Sequence, residues 1–230
     1  MTAGLQPRHT AVVTAGGTRE PIDEVRYIAN AGTGALPCAL AERLLRLGWQ
    51  VHYVHGPGAL VPDNCERLVA HPIGSAAEAA QCLAMVCAAV QPRLTLCAMA
   101  VADFSPVPVV GKLLSRSASE AEPLTLQLRP TAKSIDVVKH AAPQTLLLGF
   151  KLLAGASEAE MLTAAEHLAR RCGADLVFAN DIRRYRQGVR EGLLIAPDAT
   201  VVARLGGEQG AAGLGLLADQ LVSALLARLM

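Results

Sequence analysis

Apolar runs of strand length alternate with helix-length amphipathic segments along most of this chain, and no other feature restricts its fold so far. Residues 11–13, 50–54, 94–101, 145–148 and 176–179 have the length and content of strands, while 36–47, 75–90, 135–141 and 158–171 carry helical spacing. Parallel strands are reached only by a crossover, so this alternation predicts an α/β fold: a Rossmann-like, mainly parallel sheet with helices on both faces. Punctuation agrees. Ser75 stands three residues before Glu78 and Ser157 three before Glu160, the spacing of helix caps, and Gly48 closes the first helix.

Two stretches leave the alternation. Residues 112–116 and 124–128 are β-prone and joined by 117–123, which predicts a β-hairpin flap; 192–196 and 201–205, around Pro197-Asp198-Ala199, predict a C-terminal hairpin followed by a helix over 213–229. The glycine-rich segment 206–210 is expected to be mobile. With 230 residues and no repeat, the chain reads as one domain, 1–230.

Charge excludes some partners. Lys and Arg (21) balance Asp and Glu (20), and aromatic residues make up only 3 %, so the chain has neither the field nor the stacking platforms for nucleic acid. The long apolar stretches are broken by Gln81, Gln91-Pro92-Arg93 and Asp103, which predicts no membrane span; the first eight residues have neither a secretory nor a transit pattern, so the cytoplasm is expected. The six cysteines form no C-x-x-C pair and read as packed thiols, and the six histidines show no zinc-ligand spacing.

Ligands of open α/β sheets collect outside the carboxyl ends of the strands. Here the first strand runs into Gly16-Gly17-Thr18, and about twenty residues intervene before the helix that a bare dinucleotide-binding unit would enter directly. Backbone N–H groups of Gly16, Gly17 and Thr18 can converge on an anion, and Gly32-Thr33-Gly34 repeat the arrangement at the helix start. Either alone reads equally as an ordinary turn; together with Arg19 and Arg26 they predict a phosphate site. A nicotinamide cofactor fits less well, because the nearest G-x-G-x-x-G match, residues 32–37, ends in Pro37 and the second strand ends His55-Gly56-Pro57 without an acid for the ribose. Pro37 is expected at the first helical position, where its missing N–H costs nothing. Asp103 and the Gly-preceded Lys112 suit a nucleoside triphosphate, or equally a solvated loop with a surface ion pair. Phe150 and Lys151 offer a stacking face and a second cation after the strand 145–148, and Asn180-Asp181 follow 176–179.

Taken in order, these residues resemble the phosphopantothenate-cysteine ligases, or phosphopantothenoylcysteine synthetases, of coenzyme A biosynthesis. Residues 14–30 resemble the family signature T-x-G-G-T-x-E-P-I-D-x-V-R-x-I-x-N, residues 98–104 its A-A-V-A/S-D-Y/F segment, and Gly149-Phe150-Lys151-Leu152 and Ala179-Asn180-Asp181 its G-F-K-L and A-N-D motifs. The resemblance implies a ligase that joins 4′-phosphopantothenate to L-cysteine through an acyl-nucleotidylate made from CTP or ATP, with Mg²⁺ and release of pyrophosphate, in a homodimer. It implies catalytic roles for Asn30, whose amide N–H stabilises the developing oxyanion, and for Lys112 at the transferring phosphoryl group. Arg26, Asn30 and Ala100 fall at the phosphopantothenate; Gly16, Gly17, Thr18, Gly32, Thr33, Gly34 and Lys112 at the triphosphate; Asp103 and Phe150 at the nucleoside. The residues that meet the metal stay unassigned, and the hairpin 192–205 is the expected dimer element.

Some residues depart from the family pattern. The loop 32–37 lacks one hydroxyl and the last glycine, Lys112 is followed by Leu113-Leu114-Ser115-Arg116 in place of a lysine-rich flap, and Thr131-Ala132-Lys133-Ser134 stand where bifunctional enzymes have Asn-Pro-Asp-Ile. These differences resemble the stand-alone bacterial ligases, with the flavin-dependent decarboxylase expected on another polypeptide. Two alternatives stay open: an NAD(P)-dependent short-chain reductase-like enzyme, for which Tyr27, Tyr53 and Tyr185 supply no Tyr-x-x-x-Lys pair, and a non-catalytic nucleotide-binding homologue.

Overall fold

The structure, a computed structural model, describes residues 9–63, 65–114 and 124–230. In chain order its elements are β1 (Thr10–Ala15), β2 (Arg19–Pro21), β3 (Tyr27–Ala29), α1 (Ala35–Arg46), β4 (Gln50–His55), β5 (Leu68–Pro72), α2 (Ala76–Val90), β6 (Leu94–Cys97), β7 (Phe104–Pro106) and β8 (Leu128–Pro130). A 3₁₀ turn (Ser134–Val137) then leads into α3 (Val138–Ala141), β9 (Leu146–Leu153), α4 (Glu158–Cys172), β10 (Leu176–Asp181), α5 (Ile182–Arg186), β11 (Val189–Ile195), β12 (Val201–Gln209) and α6 (Gly210–Ala227).

Eight strands form one sheet in the order β12-β11-β10-β9-β6-β1-β4-β5. The six from β5 to β10 are parallel, and β11 and β12 extend the sheet antiparallel. Among the parallel strands the sequence order reverses between β1 and β6, which opens the crevice where ligands of doubly wound sheets bind. The expected fold class is therefore borne out.

Covered on both sides, β1 is a continuous apolar run. Ala11 and Val13 join Leu40, Leu44 and Leu221 in one core, while Val12 joins Leu83, Val138 and Leu147 in the other. Both expected caps form: Ser75 accepts from the Glu78 amide, and Ser157 and Glu160 make a full capping box. Helix α6 begins at Gly210, earlier than expected, and is long and apolar enough to cross a membrane, a property the sequence reading overlooked. In the fold its Leu217, Leu221, Val222 and Leu225 are a core face, and Asp219 pairs with Arg43 at 2.9 Å.

Several boundaries differ for tertiary reasons. Strand β6 ends at Cys97 because 98–101 peel away to lie against the Gly16-Gly17 turn. Strands β7 and β8, on either side of the expected flap, pair antiparallel with each other. Residues 112–114 and 124–127 have no strand conformation, and 115–123 lie outside the described residues. Val110 and Leu114 are 96 % and 90 % exposed, so β-prone side chains there have no surface to pack on. Gly206 to Gln209, expected to be mobile, are paired strand in β12, past a register shift opposite Arg190 and Glu191.

All six cysteines are free. Burial, aided by the neighbouring Glu42, pushes the Cys38 thiol up to about 11, and burial pushes Cys87 to about 11, so neither is a nucleophile near neutrality.

Candidate functional site

The crevice between β1 and β6 is sewn together by backbone and threonine bonds. Gly16, with φ +74°, accepts at its carbonyl from the Ala100 amide at 2.8 Å, and Gly17 bridges to Ala100. Thr14 Oγ1 accepts from the Met99 amide at 3.1 Å and Thr18 Oγ1 from the Ala102 amide at 3.0 Å. Thr18 is fully buried, so its hydroxyl is a tie between the two loops.

The glycines are there for close backbone approach. A Cβ on Gly17 would stand 2.8 Å from the Asn30 carbonyl oxygen, and one on Gly56 only 2.0 Å from that of Gly17. At Gly32 it would meet Ala100 Cβ at 3.2 Å. Turn packing alone thus accounts for Gly17 and Gly56, whatever binds over them.

Gly34, at φ +72°, is the N-cap of α1, so Ala35 is the first helical residue and Pro37 the third, not the first. The first intrahelical bond runs from the Cys38 amide to the Gly34 carbonyl at 2.9 Å, so proline still removes only an N–H that the helix leaves unpaired. Thr33 is exposed, with its hydroxyl 3.4 Å from the Ala35 amide. An anion here would meet a left-handed glycine and a helix start.

Asn30 is exposed at the crevice, and its Nδ2 donates to the carbonyls of Ala100 (3.3 Å) and Val101 (3.0 Å). The Asn30 side chain is thereby tied to the loop after β6. Asp103 is exposed and ion-paired with Lys133, not with Lys112. Phe150 is half-buried and meets Phe178 edge-on, with centroids 5.7 Å apart, so its ring is anchored in the core. Lys151 lines a 500 Å³ depression with Glu160, Thr163 and His167 of α4.

Lys112 is exposed, but the chain around it is fixed to the turn between β2 and β3. Asp23 accepts from the amides of Val25 (2.8 Å), Arg26 (2.7 Å) and Leu113 (3.1 Å), and pairs with Arg26 at 2.6 Å. Burial alone would raise the Asp23 pKa, but the Val25, Leu113 and Arg26 amides and the guanidinium together bring it down to about 2. Arg19 lies over the Tyr27 ring at 4.4 Å, so neither expected phosphate arginine is without a partner. Both line a 360 Å³ depression with Tyr27, Ser75 and Glu78.

Sequence reasoning missed Thr14, Glu20, Asp23, Gly56 and Lys133. Glu20 is buried and accepts from the Ala76 amide at 2.8 Å, capping α2 from 56 residues away. Gly56 had a signal, since it follows β4 as Gly16 follows β1; the Asp103–Lys133 pair had none. Among the described residues no three His, Cys, Asp or Glu side chains come together to hold a metal ion.

Residues 7–199 match the family model of the DNA/pantothenate metabolism flavoprotein C-terminal domain. The chain belongs to this family. It is 33 % identical over 187 residues to the coenzyme A biosynthesis bifunctional protein CoaBC of Thermococcus kodakarensis, covering 81 % of this chain and 45 % of that protein. With CoaBC of Mycobacterium tuberculosis it shares 30 % over 223 residues, 94 % of this chain and 51 % of the relative. The chain thus spans about half the length of the curated relatives it matches. In fold it is similar to the DNA/pantothenate metabolism flavoprotein of Streptococcus pneumoniae (TM-score 0.81, 24 % identity, 96 % and 99 % of the two chains covered). It is similar too to a Cab2 mutant in complex with phosphopantothenate-cysteine (TM-score 0.77, 19 % identity, 97 % and 87 % covered). Family membership bears out the resemblance to the phosphopantothenate-cysteine ligases.

Proposed function

We propose that this chain is a phosphopantothenate-cysteine ligase, acting as a single domain in the cytoplasm. The observation that carries the reading is convergence: the loops 16–18, 30–34 and 98–103 meet at the switch point, in a family whose relatives include CoaBC and Cab2.

A carboxylate oxygen of 4′-phosphopantothenate attacks the α-phosphorus of CTP or ATP, and pyrophosphate leaves. The cysteine amine then attacks the acyl carbon, and the nucleoside monophosphate leaves with the bonding pair. Neither step needs a protein nucleophile, which fits the raised thiols, and positioning with charge stabilisation supplies most of the acceleration. Phosphates lie over Gly32, Thr33, Gly34 and the start of α1, Lys112 meets the transferring phosphoryl group, and Arg26 holds the substrate anion. Asp103 takes the nucleoside hydroxyls after releasing Lys133, and the anchored Phe150 shapes the nucleoside end. Asn30 reaches the acyl oxygen by exchanging one of its carbonyl bonds, which keeps it oriented until substrate arrives. A divalent cation such as Mg²⁺, carried by the triphosphate, would supply charge neutralisation there.

The homodimer implied by the resemblance finds a better surface than the hairpin 192–205. Val25, Tyr27, Phe104, Val107, Val109 and Val110 are exposed together around the β2–β3 and β7–β8 ladders, whereas only Val202 is an exposed large hydrophobic in the hairpin. Sedimentation velocity on Val110→Asp reads this, a dimer as tight as wild type excluding that face.

A nicotinamide site is disfavoured by β4, which ends in His55-Gly56 with the Gly17 carbonyl packed where a side chain at 56 would stand. Pyrophosphate release from CTP or ATP with phosphopantothenate, before cysteine is added, tests the ligase reading. Nucleotide binding without release would favour a non-catalytic homologue.

A further inference from the structure

The turn between β2 and β3 carries more than its own geometry requires. Asp23 Oδ1 closes it by accepting from the Val25 and Arg26 amides. Oδ2 is spent elsewhere: it accepts from Arg26 Nη1 at 2.6 Å and from the Leu113 amide, ninety residues on, at 3.1 Å. The same Nη1 donates to the Leu113 carbonyl at 3.2 Å. One ion pair thus grips both backbone polar groups of the residue after Lys112. Two further bonds close the segment onto the turn, from the Val109 amide to the Ile22 carbonyl (2.9 Å) and from the Glu24 amide to the Gly111 carbonyl (3.2 Å).

The pair is buried at one end and open at the other, with the Asp23 side chain fully buried and that of Arg26 40 % exposed. Nη1 has two hydrogens and both are used. The Nε and Nη2 edge makes no hydrogen bond to the described residues, and that edge has the geometry for a bidentate carboxylate or phosphate.

We propose that Asp23 is a positioning residue for Lys112, acting through Arg26 and Leu113, so that one buried carboxylate aligns the arginine that takes the substrate anion with the lysine that meets the transferring phosphoryl group. The identity of that anion, 4′-phosphopantothenate, rests on the ligase reading; the clasp itself does not. Filling the outer edge of Arg26 immobilises the guanidinium, and the same group then holds Leu113 more firmly. Lys112 is thereby best placed when the acyl substrate is present.

Asp23→Asn separates the two jobs of the carboxylate. The amide oxygen still closes the turn, but an NH₂ group now faces the Leu113 N–H and Arg26 Nη1, donor against donor. Amide hydrogen exchange at Leu113 should accelerate about tenfold or more, as expected for loss of a charge-assisted hydrogen bond. In wild type, 4′-phosphopantothenate should slow that exchange further, and in the variant it should have no effect. The first-turnover rate of pyrophosphate release at saturating substrates should fall about tenfold, as a misplaced Lys112 predicts. Leu113→Pro, which deletes the gripped N–H and leaves the turn intact, should reproduce the loss and guards against a folding defect in the first variant.

Unchanged Leu113 exchange in Asp23→Asn would overturn the clasp, and so would faster exchange with an unaltered first turnover. Wild-type protein that releases no pyrophosphate with either nucleotide would instead remove the ligase reading, leaving Leu113 exchange to judge the clasp by itself.

Discussion

Thr18→Val tests whether the crevice is held by its buried threonine. The side chain is fully buried, and its hydroxyl accepts from the Ala102 amide at 3.0 Å. Valine fills the same volume and leaves that amide without an acceptor, a loss of about 1–3 kcal/mol. With a urea m-value of roughly 3 kcal/mol/M, the midpoint should move down by about 0.3–1 M at constant slope. Thr18→Ser keeps the acceptor but loses one buried methyl, about 1 kcal/mol, so the melts alone do not separate the causes. Hydrogen exchange at Ala102 does: protection should collapse in the valine variant and persist in the serine variant. Because the tie joins the loops after β1 and β6, nucleotide affinity should also fall in Thr18→Val, although the hydroxyl never meets the ligand. A valine variant with an unshifted midpoint and a protected Ala102 amide would refute this role.

Pro37→Gly should leave nucleotide affinity within a few fold while costing up to ~1 kcal/mol through the unfolded state, whereas Gly34→Val, forced to φ +72° with its Cβ 3.2 Å from the Gly16 nitrogen, should lose both stability and nucleotide binding in calorimetric titrations. A large affinity gain in Pro37→Gly would mean that the loop is degraded. Asn30→Asp faces two carbonyl oxygens with a carboxylate and should let the acyl-nucleotidylate accumulate, while Lys112→Gln should block its formation; quench-flow analysis showing equal losses of both half-reactions in both variants would contradict these roles. His52 and His71 stack with ring nitrogens 3.0 Å apart, and burial and mutual repulsion lower the His52 pKa, burial and His55 that of His71. The unfolded chain then binds more protons below about pH 6.5, so stability should fall as pH drops from there toward the lowered folded pKa values. His71→Gln should flatten that part of a thermal-melt pH series, and an unchanged slope would assign it to other groups.

The doubly wound core was legible because β1, β6, β9 and β10 are buried on both faces and so read as unbroken apolar runs. Strand β5 was not, since it is an edge with Leu68 and Val69 only half-buried, and β2 and β3 are three-residue ladders whose register comes from Asp23 and Arg26 rather than from alternation. Motif order placed Asn30, Ala100 and the glycine turns at one crevice correctly. What each group does there was not legible: the Thr18 hydroxyl faces inward, Asp103 pairs with Lys133, and the Asn30 side chain is tied to the loop after β6, all set by partners 30 to 84 residues away. Local sequence identifies the groups that meet but not how their donors and acceptors are matched.

One measurement bears most directly on what the chain does. Purified protein is incubated with 4′-phosphopantothenate, L-cysteine, Mg²⁺ and either CTP or ATP, and pyrophosphate and the amide product are followed together by coupled assay and mass spectrometry. A ligase gives 4′-phosphopantothenoylcysteine and pyrophosphate in equal amounts with at least one nucleotide, and makes neither when phosphopantothenate is omitted. Folded protein that binds nucleotide yet forms no product with either would contradict the ligase assignment.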